Sequence, residues 1–144
     1  MAKNQALPGT PTCRRFALCP STVASGDFVF IGSIPAVALN DYSSTTGGTT
    51  FDTAGSFVVT IEGYSTVSVA TPKAIAPGDP VYLEGGVYDA TTNCTTGGVL
   101  AADTSTALRN GATAQAGYLD PQYQKSVAAG ATDTAAWLML RKGD

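Results

Sequence analysis

The sequence predicts an all-β protein: a small β-barrel or sandwich made of two related hairpin units, with an N-terminal extended arm and at most one short helix. Three observations lead there. Short β-branched and aromatic runs recur at about the 8–12-residue spacing of sandwiches and barrels. The helical signal is thin, because threonine, glycine and aspartate interrupt the alanine-bearing segments Ala101–Ala107 and Ser126–Ala136. One pattern also occurs twice. Ala24-Ser25-Gly26-Asp27-Phe28-Val29-Phe30-Ile31 matches Ala76-Pro77-Gly78-Asp79-Pro80-Val81-Tyr82-Leu83 as A-x-G-D-x-V-aromatic-aliphatic.

Taken in order, Arg14-Arg15-Phe16 lies on a first, exposed strand edge. Phe28–Ile31 is a short apolar run closed by Gly32-Ser33, and Ile34–Leu39 returns as the second arm of a hairpin. In Phe57-Val58-Val59-Thr60-Ile61, alternation places Phe57, Val59 and Ile61 on one face of a half-buried strand. Val67 and Val69 repeat that spacing and predict a further strand. Val81-Tyr82-Leu83, Glu84-Gly85-Gly86 and Val87-Tyr88 read as a tight hairpin, since glycines permit the positive φ such turns need. Val99–Ala101 and Gln115–Leu119 are weaker strands, and Trp137, Leu138 and Leu140 belong to a closing core strand. Segments 41–55, 89–98 and 120–130 read as turn-rich connections. Residues 1–22 form an arm and first strand, and 23–144 a single β domain, a length that suits one core.

Composition narrows the function. The 144 residues include 8 basic and 11 acidic side chains and no histidine, for a net charge of −3. Charged residues make up 13%, against about 25% in ordinary domains. Such sparse charge suits a surface covered by partners. A pI near 4.7 without a Lys/Arg cluster argues against nucleic acid. Neither a signal-peptide core nor an apolar run of about 20 residues is present, so the chain is expected to be made in a cytoplasm and to have no membrane partner. The cysteine count is odd (Cys13, Cys19 and Cys94), which predicts free thiols rather than a disulfide framework.

The absence of histidine rules out Ser-His-Asp and Cys-His triads and, with only three scattered thiols, makes structural zinc improbable. No P-loop occurs. Asp27 and Asp79 sit where a carboxylate caps a turn through backbone N–H groups. The expectation is a non-enzyme with no cofactor and no metal.

In chain order, Val23–Val29, Pro35-Ala36-Val37-Ala38-Leu39-Asn40-Asp41, Thr60-Ile61-Glu62-Gly63, Pro72–Tyr82, Ala116-Gly117-Tyr118-Leu119 and Trp137-Leu138-Met139-Leu140 form an ordered set. It resembles the capsid cement, or head decoration, proteins of tailed phages. Pro35-Ala36 stands where that family usually has a glycine before V-A-L, and the loops at 41–55 and 120–134 are longer than typical. The resemblance implies a structural virion protein, commonly a homotrimer. It would bind the outer surface of an icosahedral head and stabilise it by bridging major capsid subunits. The capsid-contact candidates are Leu7, Pro8, Arg14, Arg15 and Phe16. Residues 2–12 are either a tail or an extended arm that adds a strand to a capsid edge. The alternative reading is a phage tail or fibre accessory that binds sugar through Tyr42, Tyr64 or Tyr123.

Overall fold

The computed structural model describes residues 13–141 and is nearly all β. Its strands are β1 (Arg14–Leu18), β2 (Phe28–Ile31), β3 (Ile34–Ala38), β4 (Gly48–Asp52), β5 (Ser56–Glu62), β6 (Tyr64–Ser65), β7 (Thr71–Pro72), β8 (Pro80–Glu84), β9 (Val87–Asp89), β10 (Cys94–Thr96), β11 (Val99–Ala101), β12 (Gln115–Leu119) and β13 (Thr132–Leu140). Three sheets result: a six-stranded sheet in the order β1-β4-β3-β2-β10-β9, a closed barrel in the order β11-β5-β13-β12-β8, and a small two-stranded pair, β6-β7.

Alternation explains how they pack. Ala136, Leu138 and Leu140 of β13 point into the barrel with Ile61, Val81, Leu83, Leu100, Ala116 and Leu119. The six-stranded sheet completes that core by contributing Phe30 and Val37. Phe28 packs edge-on against Phe30, with ring centroids 5.2 Å apart. The opposite face of the sheet carries Val29, Ala36, Ala38, Phe51 and Cys94, and Cys19 and Val23 close over it as a second, smaller core. Phe51 is fully buried there, so truncating it to alanine costs about 3–5 kcal/mol.

The repeated octapeptide is repeated structure. In each copy the Asp N–H bonds back to the alanine carbonyl (Asp27 to Ala24, Asp79 to Ala76, both 3.0 Å). The aspartate carboxylate returns the favour by accepting the alanine N–H, at 3.0 Å and 2.9 Å. Gly26 and Gly78 both sit at φ +91°, the third position of a type II pattern. Each turn then docks identically: Gly26 donates to Ala38 and Asp27 accepts from it, while Gly78 and Asp79 do the same with Leu119. The copies differ in what closes them. β2 pairs with its sequence neighbour β3, whereas β8 pairs with the remote β12.

For that reason β8 and β9 are not the expected hairpin. β8 belongs to the barrel, while β9 pairs with β10 at the edge of the other sheet. Gly85-Gly86 carries the chain out of the barrel, and Gly97-Gly98 carries it back. The two crossings touch: a Cβ on Gly98 would lie 2.6 Å from the Glu84 carbonyl and 3.0 Å from the Gly86 nitrogen. All four glycines have positive φ, and the same dipeptide chemistry serves a turn or a crossover.

Other expectations also change. Val67–Val69 is a 3-10 turn, not a strand, with Val69 75% exposed. The second 3-10 turn is Pro121–Tyr123, capped by Asp120, so neither falls in the alanine-bearing segments. Strands β4 and β10 lie within segments read as connections. Trp137 is not core. It lies on the outer wall of the barrel, stacked on Tyr123 at 4.2 Å, while Leu138 and Leu140 are buried.

Candidate functional site

β1 pairs only with β4, in the register Arg14 to Asp52 through Leu18 to Gly48, so among the described residues its outer edge has no strand partner. Alternation sorts its side chains. Ala17 packs on the smaller core, and Phe16 and Leu18 project from the other face, 54% and 51% exposed. Arg14 shares the Phe16 face, Arg15 lies on the other, and both arginines are exposed. The strand is held firmly at both ends. The Cys13 N–H donates to Asp52 Oδ1 at 2.9 Å, and the Thr53 N–H donates to the Cys13 carbonyl at 3.0 Å. At the far end the Leu18 carbonyl accepts from the Cys94 thiol at 3.3 Å. A strand edge without a described partner, carrying apolar and cationic side chains, is suited to main-chain pairing with another protein. The structure thus places Arg14 and Phe16 on one face of β1 and Arg15 on the other. Leu7, Pro8 and the proposed arm lie outside the described residues.

The opposite edge of the same sheet, β9, exposes Val87 (71%) and Tyr88 (39%). Sequence reading missed Leu18 and these two as surface residues. The R-x-F-x-L alternation was the signal for Leu18, while for β9 the mistaken hairpin hid it.

Of the sugar-site candidates, Tyr42 packs against the smaller core and the Tyr64 hydroxyl donates to the Gly130 carbonyl at 2.9 Å. Tyr123 alone of the three is substantially exposed (40%).

Among the described residues, Glu84 is an acid with structural surroundings. Glu84 is 6% exposed and is caged by donors. They are Thr104 Oγ1 (2.6 Å), the Ser105 N–H (2.7 Å), Ser105 Oγ (2.8 Å), Ser68 Oγ (3.1 Å) and Thr106 Oγ1 (3.3 Å). Thr104 Oγ1 also lies 2.6 Å from the Leu83 carbonyl, so its single proton is shared between two acceptors. Hydrogen bonding, led by Thr104 and opposed by burial, lowers the Glu84 pKa from 4.5 to about 2. A carboxylate that low is neither a general acid nor a general base near neutrality. Burial raises the pKa of the Cys94 and Cys19 thiols, which keeps them protonated. All three cysteines are free. Among the described residues no three His, Cys, Asp or Glu side chains gather as metal ligands. No described helix is long and apolar enough to cross a membrane.

Comparison with protein-family models, curated proteins and solved structures finds no match.

Proposed function

We propose that this protein is a structural component of a tailed-phage head that binds the outer surface of the capsid and bridges major capsid subunits, acting as a homotrimer. The ordered motif set from Val23 to Leu140 supports this reading. The observation that carries it is the unpaired β1 edge, where Phe16 and Leu18 stand half exposed beside Arg14 and Arg15. Many copies of one modest contact on a lattice accumulate strength through multivalency. Three-fold symmetry would let each copy make that contact in the same way.

Purified protein mixed with expanded empty heads of its cognate capsid is expected to co-sediment at saturable stoichiometry. The double variant Arg14→Glu/Phe16→Ser should bind about tenfold more weakly. Deleting residues 2–12 tests the arm separately. Wild-type protein that stays in the supernatant would reject the function. Equal binding by the double variant would reject the β1 edge as the contact.

A second reading, a sugar-binding tail accessory, draws support from Tyr123 stacked outward on Trp137. Glycan-array signal lost in Tyr123→Ala, together with absence of the protein from purified heads, would favour it.

A further inference from the structure

Strands β10 and β11 form one run that changes partners. Cys94 and Thr95 lie beside Ile31 and Phe30 of β2. The chain then leaves through Gly97-Gly98, and Leu100 and Ala101 rejoin beside Ile61 and Glu62 of β5. Its departure uncovers two stretches of strand edge, Phe28–Val29 on β2 and Val58–Thr60 on β5. Among the described residues no strand is registered against either stretch on that side. Between them lies a cleft of about 660 Å³ lined by both stretches, by Gly97-Gly98 and by Val99. That volume is in the range that holds ligands.

The charge of the cleft has one sign. Asp27 and Glu62 line it, and among the described residues no lysine or arginine does. Every other described carboxylate accepts a hydrogen bond from within the protein. The Glu62 carboxylate accepts none among the described residues.

We propose that this cleft receives an extended segment of a partner protein, with a lysine or arginine placed against Glu62 and Asp27. The open edges supply main-chain hydrogen-bonding groups, and Val58, Val59 and Val99 supply apolar contact for alternate side chains. The two carboxylates, opposed by no cation among the described residues of the cleft, select the sign of the segment. The proposal rests on the head-binding reading only for the identity of the donor, which would be a capsid subunit.

The test is a titration of the ¹⁵N-labelled full chain with the capped hexapeptide Thr-Val-Lys-Val-Lys-Thr and with its counterpart carrying glutamate for lysine. The lysine peptide is expected to shift the amides of 58–60 and 97–99 with a millimolar Kd. Glu62→Lys should weaken it about fivefold, and the glutamate peptide should leave those amides unmoved. The proposal is overturned by unmoved cleft amides, by equal binding of both peptides, or by a Glu62→Lys variant that binds the lysine peptide as well as wild type. It is also overturned if the cleft and β1 amides shift together with protein concentration alone, which assigns the cleft to a second copy. Head co-sedimentation fails independently: peptide capture without head binding supports the cleft and rejects the capsid as donor.

Discussion

Replacing Glu84 by glutamine removes one negative charge from a cage of hydroxyl and amide donors and leaves the side-chain shape intact. The pKa drop from 4.5 to about 2, at about 1.4 kcal/mol per pH unit, corresponds to on the order of 3 kcal/mol of folding stability. The folded pKa is depressed, so this contribution is complete above the unfolded value of 4.5 and disappears as pH falls from there through about 2. The amide retains some acceptor capacity and the hydroxyls can rotate to accept from it, so Glu84→Gln is expected to cost about 2–3 kcal/mol at pH 7. Urea unfolding of wild type and variant at a series of pH values measures this directly. Other carboxylates titrate in both proteins and cancel in the difference. The gap between the two should be widest above pH 5 and close progressively toward pH 2. A gap that stays constant with pH would show that the cage does not favour the ionised form, and would refute the reasoning.

The glycines give a second contrast. Gly98→Ala adds a Cβ 2.6 Å from the Glu84 carbonyl at a φ of +79°. It should lose about 3 kcal/mol or more in chemical denaturation. Gly26→Ala and Gly78→Ala meet open space, so each should lose only the left-handed backbone cost of about 1–2 kcal/mol, and by nearly equal amounts. The buried Cys19 and Cys94 thiols should resist iodoacetamide in the native protein and react once it is unfolded in urea. Lys125→Ala breaks a 3.2 Å ion pair whose lysine is 46% exposed, and should change stability by less than about 1 kcal/mol.

Much of the fold is legible in the sequence because burial writes a period into it. β2, β5, β8 and β13 carry that period, and both A-x-G-D turns announce a positive-φ glycine and a capping aspartate. β4 was not legible, since Gly-Thr-Thr-Phe-Asp has one strong apolar residue, Phe51, and the strand exists because β1 and β3 flank it. The Gly85-Gly86 step misled for a physical reason: a hairpin turn and a sheet-to-barrel crossover ask the same positive φ of the same residues. Trp137 was misplaced because a one-residue change of face turns core into surface, and Leu138 rather than Trp137 shares the inward side with Ala136 and Leu140.

The candidate edge was readable as a basic pair beside an aromatic, because the chain has so few charges that Arg14-Arg15 stands out. The cleft was not readable. It is defined by where strands fail to pair, and its lining comes from residues as distant as Thr22 and Thr134. The Glu84 cage is likewise assembled from positions 68 and 104–106, which no local pattern joins.

These placements separate the electrostatics of folding from those of docking. The acids that hold the structure take their donors from backbone N–H groups and hydroxyls: Asp79 in its turn, Asp52 at the start of β1, Asp120 at its 3-10 turn and Glu84 in its cage, while Asp27 both caps its turn and lines the cleft. The ion pair of Lys125 with Asp133, by contrast, is exposed. The partly buried bonds of the first kind, at Asp52, Asp120 and Glu84, are little screened by salt, whereas charges at an open edge or cleft are screened within about 10 Å at 0.1 M. Added salt should therefore leave the unfolding transition nearly in place while weakening any contact made through Arg14, Arg15 or Glu62. Reversing those residues acts on association without reaching the core, which is why they, rather than the buried acids, are the ones that can report on a partner.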